Sequence, residues 1–299
     1  MTQSGILLID KVVGPSSAQV VHRVKKLLGV KKIGHLGTLD PFASGLLLLG
    51  VNEGTKIADL FLGGVKRYRA LMVLGTETDT QDCTGRVLAE RPVPDLSAQE
   101  IEALERKFTG ELEQVPPMFS ALKKDGMRLY QLAREGKEVD RAARQITISS
   151  LSLRRAGATE IEFDVSCSRG TYVRTLAHDM GQALGCGAHL RELRRTACEH
   201  LTVEQAVTVD RLEALCSSGT VPLIGLSQAL AHLSVIVWDS ATLSKLRQGQ
   251  QDTLHKLPRP ADGASFVRIT DGHDTLVALA QWGTDGGIGR WRLARVFAV

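Results

Sequence analysis

A single carboxylate, Asp40, lies in a short segment whose composition suits chemistry. Residues 34–45 read GHLGTLDPFASG, and an apolar run follows at residues 46–49. An aspartate before proline is restricted toward extended backbone, and the glycines permit turns that other residues resist. A lone acid presented in this way, near His35, is either a reactive group or a helix N-cap with Pro41 at the first helical position. The segment by itself favours the cap.

Two further segments place a tyrosine among arginines. Residues 66–69 (KRYR) set the ring of Tyr68 among three cations, a pattern suited to neutralising phosphates and stacking a base. The alternative is an edge-strand tyrosine with solvated neighbours. Residues 168–175 (SRGTYVRT) bring Tyr172 and Arg174 to a strand-to-helix junction, where sites are common. Arg174 either pairs there with a buried carboxylate or occupies an ordinary first helical turn.

Basic residues also concentrate in residues 122–144 and 189–196. The first stretch carries seven lysines and arginines against four acids, and a basic arm of this kind can clamp a polyanion through its phosphates. A solvated helical face explains the same composition. The second stretch, HLRELRRT, is basic with inward-facing leucines, and phosphate binding and a solvated helix end fit it equally.

The motifs of the sequence require neither a cofactor nor a metal. The chain lacks a phosphate-binding glycine loop, a Ser/His/Asp order and a dinucleotide fingerprint. Cys186, His189, Cys198 and His200 could be written as a zinc set, but the C-x-H spacing of the second pair leaves too little loop for a structural site. Five cysteines without a C-x-x-C pair give no disulfide framework. We therefore expect no metal and no cofactor.

Composition limits the class of protein. The 299 residues are 43% hydrophobic and 23% charged, with a net charge of +4, which is typical of a globular chain with one large and one small domain. The mild basic excess fits a nucleic-acid partner. The sequence shows neither an apolar run of membrane-spanning length nor a signal peptide. We therefore expect a cytoplasmic protein without membrane association.

Hydrophobic periodicity and turn residues predict the elements that must position these side chains. Buried strands are expected at residues 5–10, 46–51 and 69–74, and alternating strands at 145–154 and 160–168. Helices are expected from Ser16 or Ser17 to Gly29, from a capping box at 97–100 to Gly110, over 171–184 and over 203–217. Residues 76–85 are predicted as a loop, 115–144 as an inserted arm, and the tail after 233 as a small β domain.

Six motifs, taken together, resemble the TruB family of tRNA pseudouridine synthases. They are GHLGTLDPFASG, KRYR, TxTDTxDxxG, VPPMFSALK, RGTYVRT and LGCGAHLxxLRRT, and they follow one another in the family's order. The resemblance runs from about Gly5 to Leu230. The tail resembles the family's small C-terminal RNA-binding domain more loosely. Cys186 and His189 fall within a motif that binds no metal in the family.

The resemblance implies roles for individual residues. Asp40 takes the place of the catalytic aspartate, and Arg174 resembles the arginine that pairs with it and keeps it ionised. Tyr68 resembles the tyrosine that stacks on the target base. Further positions that contact the substrate, including the histidine beside the flipped-out nucleotide, are matched by His35, Tyr172 and Leu193.

Two positions depart from the family's pattern. Leu36 stands where threonine is common, and Val12 follows Lys11 where proline is common. Neither departure removes a reactive group. The second leaves open whether Lys11 shapes the loop as it does in the family.

The resemblance also implies a fold and an activity. The fold is α/β of the α+β type, a mixed, largely antiparallel sheet flanked by helices. Residues 1–232 form the catalytic domain, with the arm at about 115–144, and residues 233–299 a small β-rich PUA-like domain. The activity is isomerisation of uridine 55 in the T-loop of tRNA, by base flipping and an aspartate-dependent break and re-formation of the glycosidic bond.

The expected partner is the T-arm of tRNA, met by a monomer that needs no obligatory protein partner. Two alternatives stay open: a tRNA-folding chaperone that acts without chemistry, and pseudouridylation of another structured RNA. The role of Asp40 also stays open between attack on the base, attack on the sugar and abstraction of a sugar proton.

Overall fold

The computed structural model describes residues 3–120, 122–124, 126–260, 265–285 and 288–298. Strands form at β1 (Gly5–Lys11), β2 (Ile33–His35), β3 (Ser44–Val51), β4 (Lys66–Leu74), β5 (Thr76–Thr78), β6 (Val87–Glu90), β7 (Gly110–Gln114), β8 (Lys123–Lys124), β9 (Met127–Arg128), β10 (Arg144–Arg155), β11 (Glu160–Cys167), β12 (Ala188–Cys198), β13 (Leu201–Thr202), β14 (Leu223–Ile224), β15 (Ser234–Val237), β16 (Phe266–Thr270), β17 (Leu276–Asp285) and β18 (Ile288–Val296). Helices form at α1 (Ser17–Leu28), α2 (Ala58–Gly63), α3 (Ala98–Lys107), α4 (Leu129–Arg134), α5 (Val173–Ala183), α6 (Val209–Ser217), α7 (Leu226–Ala229) and α8 (Ser240–Arg247).

One large sheet organises most of the chain. Its strands pair in the order β14-β1-β3-β12-β4-β11-β10-β7, with β2 beside β3 and β13 beside β12. The pairings described in this sheet are antiparallel except one, a short parallel contact in which Arg195 of β12 lies opposite Gly45 of β3. The predicted mixed, largely antiparallel sheet flanked by helices is confirmed.

Both faces of this sheet are buried where β1 and β3 run through it. Because side chains alternate along a strand, Leu7 and Leu47 enter the core on one face while Ile6 and Leu46 enter the core on the other. Helices α1, α3 and α5 cover the first face and contribute to its core. The continuous apolar runs at residues 6–9 and 46–49 are typical of strands buried on both sides.

The predicted helix ends are confirmed where capping residues specify them. Ser16 is the N-cap of α1, accepting a hydrogen bond from the Gln19 amide, and Gly29 ends the helix in the left-handed conformation with φ of 59°. Ser97 and Glu100 form the expected capping box of α3. The ends of these helices are therefore specified by local sequence.

Three predicted segments differ from the structure. Residues 203–217 are not one helix: a 3-10 turn at Val203–Gln205 precedes α6, because Val207 hydrogen-bonds β1 and Thr208 starts a new helix as its N-cap. Residues 76–85 are not wholly a loop, since β5 pairs with β6. Residues 189–196 are not a helix end but lie in β12, between β3 and β4, with Arg191 exposed, Arg194 half-buried and Arg195 buried.

The arm carries little regular structure. Its described part holds the two-residue pair β8 and β9 and the short helix α4. Leu129 and Leu132 of α4 are buried, whereas the neighbouring residues 126–128 and 135–138 are exposed. The arm, which the sequence predicts to be polar, thus also contains two buried leucines.

A second sheet follows, with strand order β15-β16-β17-β18. Leu276, Leu279 and Phe297 from this region share an apolar cluster with Ile6 and Leu46 of the large sheet. Polar contacts flank the cluster: the Lys56 ammonium donates to the Val296 carbonyl at 2.9 Å, and the Ala298 amide donates to the Glu53 carboxylate at 3.0 Å. The second sheet therefore packs directly on the back of the first.

Candidate active site

Asp40 lies in a turn between two strands. The Ala43 amide donates to the Asp40 carbonyl at 3.1 Å, and the chain then enters β3. No helix begins at Pro41 in this described segment, so the N-cap interpretation is wrong. The side chain of Asp40 is 38% exposed, which leaves its carboxylate accessible from outside.

Contacts from the N-terminal region hold this turn. The buried Ser17 hydroxyl accepts from the Leu39 amide at 2.8 Å and donates to the Leu39 carbonyl at 2.9 Å. The carbonyl of Pro41 accepts from the Gly14 amide at 2.8 Å and from the Lys11 ammonium at 3.3 Å. The backbone on both sides of Asp40 is thus tied to the start of α1 and the segment before it.

Lys11 is the most unusual of these anchors because it is almost wholly buried. Its ammonium also donates to the Val12 and Pro15 carbonyls, each at 2.9 Å, so all three of its hydrogens have acceptors. Burial lowers the pKa of Lys11 to about 8, against an opposing attraction from the Asp40 carboxylate. Lys11 shapes this loop in the present chain even though Val12 replaces the usual proline.

Arg174 connects three segments of the site. Its guanidinium is 4% exposed and lies at the second position of α5. Nε lies 3.0 Å from Oδ2 of Asp40, and the two terminal nitrogens donate to the Thr80 carbonyl at 2.6 Å and the Phe119 carbonyl at 2.8 Å. The arginine predicted to pair with Asp40 is therefore beside it, and it also ties in the 76–85 segment and the base of the arm.

Asp82 supplies the second carboxylate near Arg174, at 3.5 Å from Nη1. It is 6% exposed, and its Oδ1 accepts from the Thr80 hydroxyl at 2.8 Å and from the Thr84 amide at 2.9 Å. These donors and Arg174 fix the orientation of the Asp82 carboxylate beneath the site. Sequence reasoning treated Asp82 only as a turn residue; its place in TxTDTxDxxG was the signal available.

Tyr68 lies on β4 and packs against the core on the same sheet face as α5. Burial raises the pKa of its hydroxyl to about 12, against an opposing contribution from the Arg195 charge, so the phenol stays protonated at neutral pH. Cross-strand register places Tyr68 opposite Arg195 of β12 and Val165 of β11. The edge-strand alternative is wrong, because β4 lies inside the sheet.

The remaining predicted substrate contacts lie on three different elements: Tyr172 is the N-cap of α5, His35 is in β2 and Leu193 is in β12. The Tyr172 backbone is fixed by Gln114, whose side chain accepts from the Tyr172 amide at 2.8 Å and donates to its carbonyl at 3.1 Å. His35 ends β2, and burial lowers its pKa, with the Arg195 charge acting in the same direction. Leu193 is 7% exposed and belongs to the core, so only its edge reaches the surface.

Arg195 is the residue that sequence reasoning missed most clearly. It was grouped with the basic residues 189–196, yet it is 3% exposed and its guanidinium donates to three backbone carbonyls. These carbonyls belong to Leu46 at 2.7 Å, Gly37 at 3.1 Å and Thr38 at 3.3 Å. The only available signal was its position in LRRT, since composition gives no sign of burial.

The four residues considered as a zinc set do not come together. Cys186 precedes β12 and Cys198 ends it, so the two sulfurs lie at opposite ends of an eleven-residue strand. At about 3.3 Å per residue this separation is far beyond a shared coordination shell. In the described residues no group of three or more His, Cys, Asp or Glu side chains is placed to hold a metal ion.

Comparison with known proteins identifies the family to which this chain belongs. Residues 25–173 match the model of the TruB family pseudouridylate synthase N-terminal domain, and residues 174–221 match the tRNA pseudouridylate synthase B C-terminal domain. The tRNA pseudouridine synthase B of Geobacter sulfurreducens is 42% identical across 98% of this chain and 99% of its own length. The chain belongs to the TruB family of pseudouridylate synthases.

Further TruB relatives and solved structures agree with this assignment. The tRNA pseudouridine synthase B of Burkholderia pseudomallei is 45% identical, covering 93% of this chain and 92% of its own. A chain in the crystal structure of a Cbf5-Nop10-Gar1 complex superposes with a TM-score of 0.73 at 25% identity, covering 98% of this chain and 85% of that one. The archaeal box H/ACA sRNP Nop10-Cbf5 complex gives 0.70 at 24% identity over 98% and 86%. The predicted family and its pseudouridine synthase fold are confirmed.

In the part of the chain that the structure describes, no helix is long and apolar enough to cross a membrane.

Proposed function

We propose that this TruB protein isomerises uridine 55 in the T-loop of tRNA to pseudouridine, with Asp40 as the catalytic carboxylate. The observation that carries the proposal is the Asp40–Arg174 pair at 3.0 Å, at the tip of a loop held by Lys11 and Ser17. The substrate class follows from the relatives, which are named tRNA pseudouridine synthases.

The reaction matches what these residues can supply. Pseudouridine formation breaks the bond between the ribose and N1 of uracil, turns the detached base and rejoins it through C5. No electrons are gained or lost overall, so the step needs a charged group close to sugar and base rather than a redox partner. Arg174 pairs with the Asp40 carboxylate at 3.0 Å, and the 38% exposure of that side chain leaves it open to the nucleotide.

The target base must leave its stack to reach Asp40. Extrusion of a base costs a few kcal/mol, and stacking on an aromatic ring offsets part of this cost. We assign the stacking role to Tyr68, whose phenol stays protonated and whose ring is held against the core. Contacts to the flipped nucleotide are assigned to His35, Tyr172 and the exposed edge of Leu193.

Binding of the T-arm is assigned to the surface around Asp40. We propose that the basic arm at 115–144 contacts RNA phosphates, and that residues 233–299 form a PUA-like RNA-binding domain beside a catalytic domain at 1–232. We further propose that the protein acts as a cytoplasmic monomer without a protein partner. The charge of the arm supports the first of these assignments.

The test is to map pseudouridine in a T-arm minihelix incubated with wild-type protein and with Asp40→Asn. The amide keeps the size of the carboxylate but cannot act as a charge or a base, so product should be abolished while RNA binding is kept. Asp95→Asn is the matched control, because Asp95 is exposed and pairs with Arg155 on the surface at 3.2 Å.

Three results would contradict the proposal. Pseudouridine formed by purified Asp40→Asn would show that another group performs the chemistry. Wild-type protein that binds and refolds tRNA without forming pseudouridine would favour the chaperone alternative. Product in a ribosomal RNA fragment but not in the minihelix would redirect the substrate assignment to another structured RNA.

A further inference from the structure

Arg195 is a buried cation. It does not pair with Asp40 and offers no ring for a base to stack on, so neither of these roles explains its burial. Its guanidinium has no carboxylate within 4 Å among the described residues, in contrast to Arg174, which has two. Burying an unpaired charge is costly unless hydrogen bonds compensate it. A residue held under these conditions requires a structural or functional reason.

The three carbonyls that Arg195 binds lie on both sides of Asp40 in the chain. Gly37 and Thr38 precede the catalytic turn, and Leu46 follows it at the start of β3. One planar guanidinium therefore closes the base of the loop that presents Asp40. Because five N–H donors radiate from a rigid group, no other side chain could make these contacts with the same geometry.

The backbone of Arg195 is equally close to this loop. Arg195 and Gly45 face each other in the parallel contact between β12 and β3, and Gly45 has φ of 98°. A Cβ added at Gly45 would lie 2.2 Å from the Arg195 carbonyl oxygen. The close approach requires glycine at this position and leaves the loop little freedom to shift along β12.

On its other side Arg195 faces the stacking residue. Arg195 and Tyr68 are cross-strand partners in the antiparallel pairing of β12 with β4, and the guanidinium charge acts on the Tyr68 hydroxyl. The same charge acts on His35 at the end of β2. Arg195 thus contacts the Asp40 loop directly and faces Tyr68, the residue assigned to base stacking, on the neighbouring strand.

We propose that Arg195 is a positioning residue for the isomerisation, which sets the Asp40 loop at a fixed distance from the ring of Tyr68. This inference rests on the proposed function, because it concerns how the carboxylate meets the stacked base. Arg195 touches no reacting atom in this account. Its contribution is to alignment, and a misplacement of about 1 Å can cost about 10²-fold in rate.

The test uses Arg195→Met and Arg195→Lys in the full chain. The methionine keeps the volume without the donors, and the lysine keeps the charge without the fork. We expect the single-turnover rate on the T-arm minihelix to fall about 10²-fold for Arg195→Met and less for Arg195→Lys. The dissociation constant for tRNA should change less than about threefold in both. Arg154→Met on β10, whose arginine pairs with Glu162 on an exposed sheet position, is the matched control.

A double-mutant cycle separates positioning from a purely structural role. If Arg195 aligns the loop with the ring, Tyr68→Ala removes the partner of that alignment, so the rate losses of Tyr68→Ala and Arg195→Met should be less than additive. A structural role predicts additive losses and a fall in tRNA affinity that follows the loss of folded protein. Additive losses, or an unchanged rate in Arg195→Met, would overturn the inference.

Two controls keep these outcomes interpretable. If Arg195→Met fails to fold, Arg195→Lys decides: its rate must fall with circular dichroism and tRNA affinity unchanged, and a rate equal to wild type would overturn the inference. The proposed function is tested separately by wild type and Asp40→Asn. Inactive wild-type protein contradicts that function, whereas active wild type with equally active Arg195→Met contradicts only the role of Arg195.

Discussion

The loop that presents Asp40 and the arm at 115–144 are built in opposite ways. The loop receives hydrogen bonds from Ser17, Lys11 and Arg195, which lie far from it in the chain. The ion pairs described within the arm join near neighbours, such as Lys137 with Glu135 at 2.9 Å. These ion pairs, unlike the contacts of the loop, do not tie the arm to distant segments.

Under the proposed function, this difference separates two requirements of the reaction. Bond breaking needs a carboxylate held to a fraction of an ångström, and contacts from distant segments supply that precision. Binding a folded RNA through its phosphates needs charge rather than exact placement. Arg174 links the two regions, because it pairs with Asp40 and also donates to the Phe119 carbonyl at the base of the arm.

The largest effect is expected when that link is removed. Arg174→Met should leave Asp82 buried without its cation and Asp40 without its partner, which lowers the free energy of unfolding by about 3–5 kcal/mol. We expect pseudouridine formation to fall by at least about 10²-fold. Urea denaturation and single-turnover kinetics measure the two effects. Activity within a few-fold of wild type would show that the loop does not depend on Arg174.

A second prediction concerns Lys11, an anchor on the loop side of the comparison. Its pKa is about 8 in the folded protein against 10.5 unfolded, so between these values the unfolded chain binds more protons. The stability of wild type relative to Lys11→Met should therefore rise, by up to roughly 3 kcal/mol, as the pH goes from 8 to 10.5. Urea denaturation across this range tests the sign. A relative stability that falls with pH would contradict burial as the dominant influence on Lys11.

The smallest effect is expected on the arm. Arg128 and Arg144 have no carboxylate within 4 Å among the described residues. If each contacts one phosphate, the double variant Arg128→Gln/Arg144→Gln should lower the slope of log affinity against log salt by about 2. The rate at saturating RNA should stay unchanged. Arg106→Gln on α3 is the control, since Arg106 is exposed and pairs with Glu102 within its own helix. An unchanged salt slope would show that the arm does not bind phosphates through these residues.

The parts of the structure that were predictable from sequence are those that local chemistry specifies. Ser16 and Gly29 bound α1 as expected, and Ser97 with Glu100 begins α3. Asp40 and Arg174 came from motifs, and the structure brings them within 3.0 Å although they are far apart in the chain. Short-range capping and motif recognition account for both successes.

The remaining features depend on pairings that no local pattern shows. The sequence of residues 189–196 is typical of a basic surface. In the structure these residues lie in β12, between β3 and β4, and Arg195 is buried there. Residues 203–217 follow a helical pattern, but Val207 is captured by β1. Asp40 precedes proline like a cap residue, yet the chain turns into β3. In the first two cases, pairing with a strand that is distant in the sequence overrides the local preference.

The packing of the second sheet on the back of the first has a practical consequence for anyone who wishes to shorten this enzyme. Leu276, Leu279 and Phe297 cover Ile6 of β1 and Leu46 of β3. Strand β3 directly follows the Asp40 loop. A fragment ending at residue 232 would expose this apolar patch to water and favour aggregation. A minimal enzyme would have to redesign that surface with polar residues, so residues 233–299 cannot simply be deleted.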